Sequence, residues 1–396
     1  MEILKSYRYR LEPTEEQKVL LNKHFGSTRF IYNHFLNEKN NQYKETKKSD
    51  NYNKQAEKLT CLKNEERTLW LNEVNSQCLQ QSLKNLETAF KNFFKKTSKY
   101  PKFKSKKSKN SFRVPQFIKV IDGRIFVPKF KEGIKLIEHR PFKGTIKQCT
   151  FSKDCRNKYF VSILVETFNE PLKPTNKFVG IDLGIKDFVI TSDGKKYSNN
   201  RYTKKYEEKL KVAQKHLSRK IKGSHQYEKQ RLKVAKIHEK ISNSRKDNLH
   251  KVSTELIKAY DVICLEDLNI KKMLKNHKLS KHIADCGWGA FINILQYKAN
   301  WNNKTIIKID RFFPSSKTCS LCGWIKEDLK LGDREWFCES CGCFHDRDLN
   351  ATKNILNQGL KIISVGTTEH TDGEVVCLYD RLLSMKSEAH ESLARG

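Results

Sequence analysis

Lys177-Phe-Val-Gly-Ile-Asp-Leu-Gly-Ile-Lys-Asp-Phe-Val-Ile-Thr191 is the stretch on which the fold turns. Two-residue alternation places Phe178, Gly180, Asp182 and Gly184 on one face of a strand, and Val179, Ile181, Leu183 and Ile185 on the other. Ser192-Asp193-Gly194 then signals a hairpin into a second strand. A carboxylate between two strand glycines has free space above it, the kind an approaching ligand or backbone needs.

Downstream, residues 201–258 read as long charged helices that turn near Gly223-Ser224. Tyr260–Leu265 reads as a buried strand ended by Glu266, Trp288–Trp301 as a helix and Thr305–Asp310 as a further strand. A last helix is expected from about Asp346 to Leu356. Upstream, Pro171-Leu-Lys-Pro-Thr175 reads as a linker, and residues 111–170 as short strands broken by turns, a small barrel-like β-domain. Residues 3–12 alternate like a strand of the same domain. The intervening block, to about residue 96, has helical spacing in Leu20, Leu21, Phe25, Phe30, Ile31 and Phe35, and again in Leu79, Leu83, Leu86, Phe90 and Phe94. Thr14 with Gln17 forms a capping box at its start, and polar residues 38–66 are expected as a loop or loosely held helix. The fold class expected is α/β multidomain.

The chain has 396 residues, enough for two to four domains at roughly 150 residues each. Lys and Arg number 78 against 45 Asp and Glu, a formal net charge of +33. Such a surface repels itself unless a polyanion neutralises it, so nucleic acid is the expected partner. No run approaches the ~18 apolar residues of a membrane span. The N-terminus lacks an apolar signal region, so an intracellular, cytoplasmic location is expected, nucleoid-associated in a prokaryotic cell.

Two segments concentrate the positive charge. Residues 95–110 carry eight Lys and no acid, with Tyr100, Pro101 and Phe103 among them. Lysines grip phosphates and interleaved aromatics can stack on unpaired bases. Lys95, Lys96, Lys99, Tyr100, Lys102, Phe103, Lys104, Lys106 and Lys107 are therefore candidate nucleic-acid contacts, against the blander reading of a solvated linker. Between Arg201 and Lys251 there are 17 Lys or Arg and 5 Asp or Glu, and Arg219, Lys220, Lys222, Arg245 and Lys246 are candidates there.

Five of the twelve cysteines fall between 319 and 343. Cys319-Ser-Leu-Cys322 and Cys338-Glu-Ser-Cys341 are two Cys-x-x-Cys pairs, each followed by a glycine. Two such knuckles supply the four thiolates of a closed tetrahedral zinc site, whose role is structural. Cys343 and His345 are spare potential ligands.

Three carboxylates stand on three elements: Asp182 in its strand, Glu266 at the end of another, and Asp348 at the start of a helix. Each alone reads as readily as a cap, turn or ion pair. Together, in a basic protein, they fit two divalent ions ~4 Å apart that activate water and stabilise the leaving 3′ oxygen in phosphodiester hydrolysis. Magnesium suits carboxylate oxygens and substrate phosphate, with manganese as a substitute.

Gly180-Ile-Asp-Leu-Gly-Ile185, Leu265-Glu-Asp-Leu-Asn269, Ser316-Lys-Thr-Cys-Ser-Leu-Cys-Gly323, Cys338-Glu-Ser-Cys-Gly342 and Asp346-Arg-Asp-Leu-Asn-Ala351 occur in that order. The set resembles the TnpB family, transposon-encoded RNA-guided DNA endonucleases related to compact type V CRISPR effectors. Tyr7-Arg-Tyr-Arg-Leu-Glu-Pro-Thr-Glu-Glu-Gln17 and Tyr100-Pro-Lys-Phe-Lys104 fit the same family, so the resemblance covers most of the chain. Thr352 stands where a second alanine is common.

The resemblance implies a bilobed protein. A β-barrel wedge domain (1–12 and 111–172) would hold an inserted helical recognition domain (13–110). An RNase H-like (RuvC-like) nuclease (177–313 and 346–364) would carry a zinc ribbon (314–345); residues 365–396, which lack a clear pattern, are expected as a poorly ordered tail. By motif position the catalytic, magnesium-binding triad falls on Asp182, Glu266 and Asp348, with Asp267 and Asp346 as bystanders or as groups that support the triad from behind. The zinc ligands fall on Cys319, Cys322, Cys338 and Cys341. The implied partners are a guide RNA from the transposon end and double-stranded target DNA, cut beside a short transposon-adjacent motif. Base pairing would supply most of the sequence specificity. A nuclease-inactive RNA-guided regulator and a three-carboxylate DNA transposase are the competing readings.

Overall fold

The computed structural model describes residues 1–106, 110–330 and 332–366. The chain forms two units, Met1–Asn169 and a second from Glu170 on.

The first unit opens with β1 (Glu2–Glu12), followed by α1 (Glu15–Thr46), α2 (Tyr52–Leu62), a 3-10 segment at Glu66–Glu73 and α3 (Ser76–Phe94). Then come β2 (Asn110–Val114), β3 (Lys119–Ile121), β4 (Arg124–Val127), β5 (Phe130–Ile137), β6 (Thr145–Lys153) and β7 (Tyr159–Phe168). Thr14 caps α1: its hydroxyl accepts from the Gln17 N–H while the Gln17 carboxamide accepts from the Thr14 N–H. The polar stretch expected as a loop or loosely held helix is mostly helix. α1 runs on through Thr46, burying the stem of Lys39, and Asn51 caps α2 by accepting from the Lys54 N–H.

The strands form one antiparallel sheet in the order β2-β6-β7-β1-β5-β4-β3. Ten residue pairs, from Glu2 opposite Phe168 to Leu11 opposite Tyr159, join the first strand to the last. No ladder joins β2 to β3 among the described residues, so the expected barrel is, in its hydrogen bonding, an open sheet; β3, with three residues, is short for a closing strand. Tyr9, Ile125, Ile134, Phe151, Val161 and Ile163 fill its apolar face, joined by Leu21 and Phe25 of α1 and Cys78 of α3. A second core, with Ile31, Phe35, Leu59, Leu71, Leu79 and Leu83, holds the helices together.

The second unit contains β8 (Phe178–Asp182), β9 (Asp187–Thr191), β10 (Lys196–Ser198), α4 (Tyr202–Lys205), α5 (Glu207–Ser218) and α6 (His225–Ala259). β11 (Val262–Glu266), α7 (Ile270–Met273), α8 (Ser280–Cys286), α9 (Trp288–Trp301) and β12 (Thr305–Ile309) follow. β13 (Glu335–Phe337), β14 (Phe344–Asp346) and α10 (Arg347–Gly366) complete it. The sheet order is β10-β9-β8-β11-β12. β8, β11 and β12 are mutually parallel, while β9 runs antiparallel to both its neighbours.

Alternation sorts the two faces. Val179, Ile181, Ile263 and Leu265 pack with Leu256 of α6 and Phe291 and Leu295 of α9. Val262, Cys264, Ile307 and Ile309 pack with Ile355 of α10. Gly180 and Asp182 lie on this second face, so α10 covers the space left open at Gly180; β8 ends at Asp182, and Gly184, expected on the strand, lies beyond it against the Asp187 backbone. The helix is longer than its expected end near Leu356, because Leu356 and Ile363 continue its apolar stripe against the sheet. The rest of the expected tail, residues 367–396, lies outside the described residues. Among the described residues no helix is long and apolar enough to cross a membrane.

Candidate active site and metal centre

β8 and β11 are parallel neighbours with Leu265 opposite Ile181, so their last residues, Asp182 and Glu266, emerge level at the same sheet edge. Asp348 is the second residue of α10, the helix that lies across that face. Burial pushes the Asp182 carboxyl up to about 7, and the charges of Glu266 and then Asp348 push the same way. The Leu183 N–H and the Arg347 guanidinium oppose them only in part. Burial likewise raises Glu266, against the hydroxyl of Ser315, which donates to its Oε1 at 2.6 Å. The three carboxylates thus form an electrically coupled set with more negative charge than the protein around it neutralises. Among the described residues only a cysteine group draws its ligand atoms within 4.8 Å of one another. The three carboxylates do not form such a group.

The neighbouring acids are occupied elsewhere. Asp267 pairs with Arg311 at 2.5 Å and faces Lys308 at 3.8 Å. Asp346 accepts from the Leu349 N–H at the start of α10 and pairs with Lys196 at 3.3 Å. Three groups at the cluster escaped the sequence reading: Ser315, Arg334, whose Nη1 lies 3.5 Å from Asp348 Oδ2, and Arg347. Arg347 is held by the Lys330 and Asp333 carbonyls at 3.1 and 3.3 Å. The signal for Ser315 was present in Pro314-Ser-Ser-Lys-Thr-Cys319, a polar run leading into a knuckle, but nothing local ties it to Glu266.

The sulfur atoms of Cys319, Cys322, Cys338 and Cys341 all lie within 4.8 Å of one another. Cys319 and Cys341 are 3.7 Å apart and Cys322 and Cys338 3.5 Å. A tetrahedron with Zn–S bonds of about 2.3 Å has sulfurs about 3.8 Å apart, so the donor set fits zinc. Each knuckle is closed by a glycine N–H, Gly323 to the Cys319 carbonyl at 2.9 Å and Gly342 to that of Cys338 at 2.8 Å. Both glycines have positive φ, 81° and 71°, which a side chain would resist. Cys343 and His345 lie outside the group: the His345 ring is buried against Trp336, its Nε2 3.0 Å from Cys319 Sγ.

The basic candidates divide. Segment 99–106 is docked on the helices: Tyr100 meets Phe90 and Phe93 edge-on, and Asn33 holds both the N–H and the carbonyl of Lys104. The Lys104 ammonium sits 3.8 Å over the Tyr32 ring and is half-buried, so it faces the protein rather than solvent. Lys95, Lys96, Lys99, Lys102, Phe103 and Lys106 are exposed, while Lys107 lies outside the described residues. In the second unit Arg219, Lys220 and Lys222 are exposed at the turn between α5 and α6, and Lys246 on α6. Arg245 is committed elsewhere: it pairs with buried Asp285 at 2.6 Å and donates to Thr203. A buried acid outcompetes solvent for the guanidinium.

Comparison with known proteins agrees along most of the chain. A family model described as "Probable transposase" (OrfB_IS605) matches residues 160–277. A Cas12f1-like TNB domain model matches 288–355 and a helix-turn-helix domain model of the same OrfB_IS605 group matches 1–48. A "Putative RNA-guided DNA endonuclease" of Streptomyces pristinaespiralis is 38% identical over 369 residues, covering 92% of each chain. The "Putative RNA-guided DNA endonuclease InsQ" of Escherichia coli K12 is 32% identical over 384 residues, covering 92% of this chain and 95% of its own. A Cas12f1 chain solved with sgRNA and target DNA superposes with a TM-score of 0.49 at 14% identity, over 90% of this chain and 99% of its own.

Proposed function

The chain belongs to the TnpB family, and from this premise we propose that it is an RNA-guided DNA endonuclease whose Asp182, Glu266 and Asp348 hold two magnesium ions for phosphodiester hydrolysis. The observation that carries the site is geometric: Asp182 and Glu266 end the parallel neighbours β8 and β11 level with one another, and Asp348 begins the helix that covers that face. Burial and the charges of Glu266 and Asp348 raise the proton affinity of Asp182, an effect a bound cation would offset.

The sheet supports the assignment to an RNase H-like, RuvC-like nuclease. Its order, third-second-first-fourth-fifth strand with only the second antiparallel to its neighbours, puts one acid on the first strand, one on the fourth and one on the covering helix. When bound, magnesium would activate water and stabilise the leaving 3′ oxygen. The chain itself orients Glu266 through Ser315 and places Arg334 and Arg347 beside the carboxylates. The four cysteines hold structural zinc next to α10.

The remainder of the reading follows the family. The helices between β1 and β2 act as the recognition domain and the seven-stranded sheet as the wedge. The exposed lysines neutralise phosphates of a guide RNA from the transposon end and of target DNA beside a short adjacent motif. The test is to purify the protein with the RNA that accompanies it, and to supply DNA matching that RNA. Asp182→Ala is expected to abolish cutting while RNA and target binding persist. Cutting that survives in this variant removes Asp182 from the catalytic set.

A further inference from the structure

Glu266 is a side chain at a strand end, and a carboxylate there rotates unless something holds it. Ser315 holds it. The residue is only 7% exposed, and its hydroxyl donates to Glu266 Oε1 at 2.6 Å. Among the described residues no donor reaches Oε2, so the second oxygen stays free for an ion.

Ser315 lies in the irregular connection between β12 and Cys319, where a hydroxyl would ordinarily wander. Two carboxamides of α10 prevent this. Asn354 Nδ2 donates to the Ser315 carbonyl at 2.8 Å and to the Thr318 carbonyl at 2.5 Å. One turn earlier, Asn350 donates to the Thr318 carbonyl at 2.7 Å and accepts from the Ser320 N–H at 2.9 Å. Both asparagines are buried, 4% and 2% exposed. The helix that presents Asp348 therefore also fixes the loop that orients Glu266, and four residues further that loop becomes the first cysteine knuckle.

We propose that Ser315 is a positioning residue for Glu266, set in place by Asn354 and Asn350, so that two of the three carboxylates are aligned by one helix. The inference rests on the reading of Asp182, Glu266 and Asp348 as a divalent-ion site. Groups that hold a ligand from behind typically contribute 10- to 100-fold in metal affinity.

The experiment titrates Mn2+ by electron paramagnetic resonance into the full, zinc-loaded chain with its copurifying RNA. Cutting is followed in parallel against Mg2+ concentration. Ser315→Ala is expected to weaken Mn2+ binding about tenfold and to raise the half-saturating Mg2+ by a similar factor. Saturating Mg2+ then restores cutting to within a few-fold. Ser315→Thr, which keeps the hydroxyl, should behave as wild type, whereas Glu266→Gln should not recover at any Mg2+ concentration. Asn354→Ala should shift affinity in the same direction and add little to Ser315→Ala; full additivity overturns the chain of contacts. Wild-type Mn2+ affinity in Ser315→Ala, with Glu266→Gln impaired, overturns the inference and leaves the carboxylate site standing. Mn2+ binding that ignores Glu266→Gln as well removes the site and the inference together.

Discussion

A Cβ built on Gly180 would stand 2.1 Å from the carbonyl oxygen of Thr352 and 2.7 Å from the Leu356 nitrogen. The strand carrying Asp182 and the helix carrying Asp348 touch backbone to backbone, and only a residue without a side chain permits it. Further along the helix Gly359 leaves room in the other direction, for the Cys264 side chain of β11.

The first prediction follows from that contact. Gly180→Ala must push α10 off the sheet, and overpacking of this kind costs about 1–3 kcal/mol or more. A lowered thermal midpoint is expected, together with loss of cutting, since Asp182 and Asp348 move apart. Gly26→Ala in α1 is the opposite case: nothing lies within 4 Å of its Cβ, and a helix-interior alanine should stabilise by about 1 kcal/mol. Parallel denaturation curves check both; equal midpoints for the two variants would contradict the account.

A second prediction concerns pH. The folded-state pKa of Asp182, about 7, lies above its ordinary 3.8. Between these values the folded chain binds the extra proton, so without divalent ions stability falls as pH rises from about 4 to 7 and levels off beyond. The size is on the order of a few kcal/mol. Added Mg2+ should remove most of the fall, and Asp182→Asn should remove this component altogether. Urea midpoints at pH 5 and pH 8, with and without Mg2+, decide it.

The cysteines give a third. Elemental analysis should find one zinc per chain, lost in Cys338→Ser and kept in Cys343→Ser, because the Cys343 thiol stands outside the four-sulfur group. Zinc loss in the Cys343 variant would redraw the ligand set.

The fourth tests a buried ion pair. Lys304 and Asp261 pair with side chains 2% and 9% exposed, and Asp261 also accepts from the N–H groups of Thr175 and Asn176. Lys304→Met strands a buried carboxylate and should cost about 3 kcal/mol. Arg311→Ala, which breaks the exposed pair with Asp267, should cost less than about 1 kcal/mol. Chemical denaturation of the two variants gives the comparison.

Much of this was legible in one dimension. Thr14 and Gln17 announce the start of α1, the Gly-Ile-Asp-Leu-Gly run announces β8, and two Cys-x-x-Cys pairs announce their cluster, because each signal is completed within a few residues. Less legible was whatever depended on a distant partner. Arg245 reads as one basic residue among many until Asp285, forty positions on, claims it. Lys104 reads as a free cation until the Tyr32 ring appears beneath it. The polar stretch 38–66 leaves loop and loosely held helix both open because its helical stability comes from packing, not from its own composition.

Local spacing alone placed Asp182 and Glu266 on strands, marked where α1 begins and showed which sulfurs can share an ion, since those properties are settled over distances of one or two turns. Tertiary structure alone decided that Ser315 meets Glu266, that Asn350 and Asn354 hold the connecting loop, and that α10 lies flush on Gly180. Those contacts join positions 30 to 176 residues apart, and no short-range pattern encodes them. They exist because an apolar helix face has one sheet to bury itself against, and burying it carries every polar group on that helix to its place.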